Sequence, residues 1–197
     1  MEYRRRPTTF RIDDVSLNTS MGDVLSLVNT ITAACPDAVI ILAISPLVHD
    51  VSKEPPADQG RAFPRIINAM SDHRNFFRVS RAGVPAWVVD AMVNPNVKTA
   101  SHGLVHVDHR LLGREAQELS IVASCTLVGA NTFVPPFNHW NDVTREVCSE
   151  HKIRLVRFED GWRHVRFNKY DPTHGLYYLH THDTPADWLR RWFEGSA

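Results

Sequence analysis

The chain has 197 residues, 43% of them hydrophobic, with 22 basic and 22 acidic side chains. That length suffices for one domain with a core, and the even charge balance argues against a nucleic-acid binder or a protein held on an acidic membrane. The longest apolar run, Ala38 to Ile44, is too short to span a bilayer, and no apolar leader follows Met1; Cys35, Cys125 and Cys148 form no Cys-x-x-Cys pair. The expectation is a single domain over 1–197, cytoplasmic, with reduced and buried thiols.

In chain order, Thr8 to Ile12 reads as a strand. Asp13 and Asp14 stand at its end, where the chain turns and both can reach one pocket. Two adjacent carboxylates inside a strand are costly unless something positive meets them. Asp23 to Ala34 has helical spacing through Val24, Leu25, Val28 and Ile31, with Ser20 as its cap. Ala38 to Ile44 is a β-branched apolar run of the kind buried on both faces of a parallel sheet. Pro46 ends it, and a Pro55–Pro56 loop follows.

Further along, Phe76 to Val79 and Val97 to Ala100 read as short strands. After the second comes Ser101-His102-Gly103-Leu104-Val105-His106; a helix starting at Ser101 puts both imidazoles on one face. Two such histidines and one carboxylate make a first-row metal site with positions left for water. His109, three residues later, is either a support or a bystander. Arg114 to Val128 is helical, and Asn131 to Val134 is a strand running into Pro135-Pro136-Phe137-Asn138-His139-Trp140. The prolines stiffen that loop, and its aromatic and amide groups suit a ligand. Asn141 caps a helix over 142–151.

Ile153 to Phe158 is a late strand followed by Glu159-Asp160-Gly161-Trp162, and Leu176 to Leu179 is another, followed by His180 and His182. Ala186 to Phe193 closes the chain as an amphipathic helix, with Thr184 as cap and Pro185 at its first position. Strands alternating with helices predict a mostly parallel sheet, either doubly wound or a (β/α) barrel, with chemistry at the C-terminal strand ends.

Taken in order, Asp13-Asp14, His102/His106, Val134-Pro135-Pro136-Phe137, Asp160/Trp162 and His180/His182 resemble the motifs of the polysaccharide deacetylase family. That domain is named for the rhizobial chitooligosaccharide deacetylase. The family shows an Asp-Asp pair on the first strand, His-x-x-x-His, an Arg-x-Pro-Tyr loop, an Asp/Trp segment and a closing Leu-x-His. The likeness runs from residue 10 to 183 and looks closest to compact, divergent members, some similar to proteins of bacterial surface-polysaccharide (O-antigen, lipopolysaccharide) synthesis.

The resemblance implies a distorted, incomplete barrel of about seven strands. It implies that Asp14, His102 and His106 hold a divalent metal, zinc first, with cobalt, manganese or nickel as substitutes. It makes Asp13 the general base and either His180 or His182 the acid. It puts an N–H near Phe137 on the oxyanion, with Pro136, Phe137, Asn138, Trp140 and Trp162 along the substrate and Asp160 beside the base. The implied reaction is hydrolysis of an N-acyl, chiefly N-acetyl, group on an amino sugar or oligosaccharide. A catalytically impaired relative that binds metal and sugar, or another amide hydrolase such as a deformylase, fits the same residues. Two positions depart from the pattern: Val134 stands where the family has the arginine that orients the base, and Phe137 stands where it has tyrosine.

Overall fold

The computed structural model of the chain describes residues 9–15, 21–46, 93–156, 170–171 and 176–180. The elements are β1 (Thr9–Val15), α1 (Met21–Ala34), β2 (Val39–Ile44), β3 (Val97–Ser101), α2 (Arg114–Val128), β4 (Thr132–Phe133), α3 (Asp142–Glu150), β5 (Arg154–Leu155), β6 (Tyr170–Asp171) and β7 (Leu176–His180). All seven strands join one sheet in the order β5-β4-β3-β2-β1-β7-β6. Every pairing is parallel except β6 with β7, a two-residue antiparallel addition that the sequence pattern does not announce. Among the described residues β5 and β6, at the two ends of that order, do not pair with each other. The mostly parallel α/β architecture is the one the sequence predicts. The 76–79 strand, the Pro55–Pro56 loop, the Ser20 cap and the 186–193 helix lie outside the described residues.

The continuous apolar run explains the middle of the sheet. Ile40, Leu42 and Ile44 of β2 pack with Phe10, Ile12 and Val15 of β1 against Val24, Leu27, Val28 and Ile31 of α1. On the other face Ala43 of β2 meets its register partner Ala100 of β3, with Val134 and Val156 nearby. Small residues there keep that face shallow. α2 and α3 cover the β3–β4–β5 side through Ile121, Cys125, Phe133, Val147 and Cys148. No disulfide joins the three cysteines, and burial pushes the Cys125 and Cys148 thiols up to about 11 and about 12, so they stay protonated and inert.

Asn141 caps α3 as the sequence predicts. Its side-chain oxygen accepts from Thr144 N at 3.0 Å, and Thr144 Oγ1 accepts from Asn141 N at 3.2 Å. Thr144 Oγ1 also donates to Gln117 Oε1 at 2.6 Å, which ties the start of α3 to α2. The consequence for function is positional: this cap fixes where the 135–140 turn leaves the sheet.

Candidate metal centre

The parallel registers bring the C-terminal parts of five strands level. Asp13 stands beside His180, Ile44 beside Ser101, and Ser101 beside Phe133. The residues just past these points face one another across the C-terminal edge, where α/β folds gather their chemistry.

Asp13 and Asp14 do not close β1, which continues to Val15. They are separated instead by a bulge. Ile12 pairs with Leu42 and Val15 with Ile44, so three steps on β1 match two on β2. Asp14 absorbs the extra residue with φ of 58°, a left-handed conformation that aspartate tolerates better than most side chains. The bulge returns Val15 to the α1 face beside Ile12 and breaks the strict alternation that would put Asp13 and Asp14 on opposite faces of the strand.

The histidines are not on a helix. Residues 102–107 form a loop, and the two imidazoles converge because the chain bends between them. Gly103 makes the bend, with φ of +81°; a Cβ there would lie 2.9 Å from His109 Cε1 and 3.1 Å from the Val105 carbonyl oxygen. His109 is fully buried and supports the loop from beneath. Its Nδ1–H donates to Val107 O at 3.1 Å, which leaves Nε2 to accept from Ser120 Oγ at 3.0 Å. Ser120 Oγ in turn accepts from Leu104 N at 3.2 Å, and Ser101 Oγ accepts from Gly103 N at 3.1 Å while also meeting Ser124 Oγ. α2 therefore holds the histidine loop with hydroxyls as well as with apolar contacts, since Ala116, Ala123 and Leu127 pack against Leu104, Val105 and Val107. Gly103→Ala is expected to cost about 2 kcal/mol, from left-handed strain and the His109 clash, and to weaken metal binding in parallel. Thermal unfolding and a metal titration of the variant check this.

His102 is clamped at the end of β3. Its N–H donates to Ile44 O at 2.8 Å, its carbonyl accepts from Ser45 Oγ at 3.0 Å, and its ring Nδ1–H donates to Val134 O at 2.8 Å. A carbonyl only accepts, so Nδ1 carries a proton and Nε2 is the nitrogen turned to the site. His102 Nε2 lies 3.2 Å from Asp14 Oδ1, and His106 Nε2 lies 2.9 Å from the same oxygen. The ligand atoms of Asp14, His102 and His106 all fall within 4.8 Å of one another. A neutral His102 would aim its Nε2 lone pair at a carboxylate, which is repulsive until a cation stands between them. Two imidazole nitrogens and a carboxylate oxygen, one ring already oriented by a backbone carbonyl, fit a first-row divalent metal.

Asp13 precedes Asp14 in β1 and is 2% exposed. Its Oδ2 accepts from Arg11 Nη2 at 2.5 Å, and its Oδ1 accepts from no protein donor among the described residues. The same Nη2 donates to Asn138 Oδ1 at 2.7 Å. So the partner that Val134 cannot supply comes from β1 itself. Sequence reasoning missed it, although Arg-x-Asp on a strand places both side chains on one face.

Of the loop expected to line a substrate, Pro136 is buried, Asn138 and Trp140 are half-buried, and Phe137 is 47% exposed. The Phe137 ring stands edge-on to His106, with centroids 4.3 Å apart. Phe137 and Asn138 both adopt left-handed φ, 56° and 58°. Asn138 N and His139 N donate to the Pro135 and Pro136 carbonyls at 3.0 Å each. Among the described residues Phe137 N–H donates to no backbone carbonyl. Behind the turn, His139 Nδ1 meets Asp108 Oδ2 at 2.8 Å, and Asp108 also takes the Arg110 guanidinium. Burial raises the Asp108 carboxyl, but hydrogen bonds from Arg110 and His139 outweigh it and hold the group below its ordinary value. His180 is placed only as a backbone position in register with Asp13, and Asp160, Trp162 and His182 lie outside the described residues.

No protein-family profile matches the chain, and no curated protein matches it in sequence. Solved structures do match in fold. The chain is similar to a family 4 carbohydrate esterase from Streptomyces lividans, solved in complex with acetate, at 12% identity over 96% of this chain and 87% of that one, with a TM-score of 0.53. It is similar to a mutant form of a peptidoglycan deacetylase from Bacillus subtilis at 8% identity, over 97% of this chain and 83% of that one, with a TM-score of 0.52. It also matches a family 4 pseudoenzyme from Bacillus anthracis at 8% identity, over 98% of this chain and 61% of that one, with a TM-score of 0.53. The chain thus shares the fold of the family 4 carbohydrate esterases.

Proposed function

We propose that this protein is a metal-dependent hydrolase that removes an N-acyl group, chiefly N-acetyl, from an amino sugar or its oligosaccharide, in cytoplasmic steps of surface-polysaccharide synthesis. The observation that carries this reading is the convergence of Asp14, His102 and His106 at the C-terminal edge of the sheet, with the buried Asp13 next to Asp14 in the chain. The shared fold with carbohydrate esterases supports the substrate class.

Asp14, His102 and His106 would hold the metal, taken as zinc. When bound, it supplies Lewis acidity that lowers the pKa of water to roughly 7 and polarises the acyl carbonyl. Asp13 takes the proton of the attacking water through Oδ1, while Oδ2 stays on Arg11. The water oxygen bonds to the acyl carbon, and the carbonyl pair moves onto oxygen, where Phe137 N–H donates to it. His180 or His182 then delivers a proton to the amine as the C–N bond breaks. The products are acetate and a free amino sugar. Pro136, Phe137 and Trp140 line the sugar on one side, and Trp162, outside the described residues, is a further candidate to stack on a sugar ring.

The test is direct. Purified protein is expected to hold about one equivalent of zinc, lost to a chelator, and to release acetate from N-acetylated amino-sugar oligomers. Absence of divalent metal binding would overturn the reading. Metal and sugar binding without acetate release, on a panel that also includes N-formyl sugars, would replace it with an impaired deacetylase-like binder. Val134 in the third motif is the feature that favours that second reading.

A further inference from the structure

We infer that Arg11 is the positioning residue of Asp13, and that it locks the base and the Phe137 turn into one unit; this rests on the reading of Asp13 as the base. Arginine in the middle of a strand at 0% exposure is unusual, because removing a guanidinium from water is costly without a partner of opposite charge. Here the partner is two residues on. Spacing of two puts both side chains on the face of β1 opposite Phe10 and Ile12.

The contact has a direction that suits the chemistry. Arg11 Nη2 engages Asp13 Oδ2 only, at 2.5 Å, which leaves Oδ1 as the oxygen presented to a proton. A guanidinium does not deprotonate in proteins, so Arg11 can orient the carboxylate without competing for the proton it must accept. Both protons of Nη2 are used, one on Asp13 and one on Asn138 Oδ1 at 2.7 Å. Asn138 follows Phe137 in a turn with two successive left-handed residues. The group that takes a proton from water and the N–H that meets the oxyanion are therefore held by one nitrogen, across 127 residues of sequence. Val134 has no comparable role to play: its side chain packs with Ala43, Ala100 and Val156, and its carbonyl serves His102.

The test compares Arg11→Met, Arg11→Lys, Asp13→Asn and the Arg11→Met/Asp13→Asn double variant, all loaded with zinc. Arg11→Met is expected to keep its zinc, to leave KM within about threefold, and to lower kcat by roughly 100-fold, the scale of a misplacement near one ångström. Arg11→Lys is expected to recover part of that loss. In the double variant the losses are expected not to multiply, because a positioning residue has nothing to position once the base is gone. Unchanged kcat in Arg11→Met, or multiplied losses in the double variant, would overturn the inference. A crystal structure of Arg11→Met provides a readout independent of turnover, with the Asp13 carboxylate expected to rotate from its place. A carboxylate that stays put sinks the inference even if the wild-type chain proves inactive. Should Arg11→Met fail to fold, Asn138→Ala removes the second acceptor at a half-buried loop position. It is expected to lower kcat about tenfold without additivity to Asp13→Asn and to shift Arg11 in its structure; full activity with Arg11 unmoved would count against the inference. Retained turnover in Asp13→Asn alone would instead strike the assignment of the base.

Discussion

Asp13→Asn is expected to retain zinc and to lose roughly 10³-fold in kcat, within the range that general-base removal produces. The substitution keeps the size of the side chain and one oxygen for Arg11, but removes the lone pair that takes the proton. The proposed metal set is untouched, since Asp14, His102 and His106 are separate side chains. The cost falls on stability instead. Asp13 is the buried carboxylate facing the buried Arg11, and its neutralisation leaves a cation under-compensated, so a lower melting temperature is expected alongside. His102→Ala gives the opposite signature: zinc stoichiometry falls, and turnover falls with it, because the ring pinned to Val134 O is lost. Metal content and initial rates measured on the same preparations separate the two outcomes. Equal zinc loss in both variants would show that Asp13 belongs to the metal set and not to proton transfer.

Acidification is expected to destabilise the metal-free protein between about pH 6.5 and pH 3 through His109. Burial, its largest cause, lowers this imidazole from 6.5 to about 3 in the folded chain. The stabilisation is complete above the unfolded value, because both states are then neutral at this site. Below it the unfolded chain binds a proton that the folded chain refuses, so stability is lost as pH falls toward the folded value. At about 1.36 kcal/mol per pH unit the loss reaches roughly 5 kcal/mol at most. Asp108 acts with the same sign at lower pH: its depressed carboxyl stabilises the fold above its ordinary value, and that is lost as pH falls through the folded one. Urea unfolding at pH 7, 5 and 4 with chelator present checks this. His109→Gln is expected to be less stable at pH 7, for want of the bonds to Val107 O and Ser120 Oγ, yet to show a flatter dependence. An unchanged slope would remove His109 as the cause. The loop it supports carries His102 and His106, the two proposed histidine ligands, so metal affinity is expected to fall over the same acidic range.

Some of this was legible before folding, because it is written in local pattern. The apolar run of β2 could only be a strand buried on both faces, and the amphipathic periods flanking it had to be helices. Together they dictate a parallel sheet whose strand ends share an edge, and the order of Asp13-Asp14, His102/His106 and the closing histidines along those ends identified the candidate site. The helix expected at Ser101 was a misreading of spacing. His-x-x-x-His fits a helical face equally well in sequence, but Gly103 takes a left-handed φ, and Ser120, on a helix more than ten residues away, bonds the backbone of Leu104.

The sequence by itself determined most of the described helices and strands, their mostly parallel arrangement and the side chains available at the C-terminal edge, since propensity and periodicity act over neighbours. Tertiary structure alone decided how those side chains are used. The bulge at Asp13 and Asp14 lets β1 match β2 on one side and keep Val15 in the core. His102 faces the site because a carbonyl 32 residues later holds its other nitrogen. Arg11 meets Asp13 and Asn138 together because packing brings the first strand against a turn far along the chain. Each of these depends on a backbone conformation or a partner that becomes defined only when distant segments pack, which is why Val134 looked like a missing arginine and Arg11 looked like part of an ordinary strand.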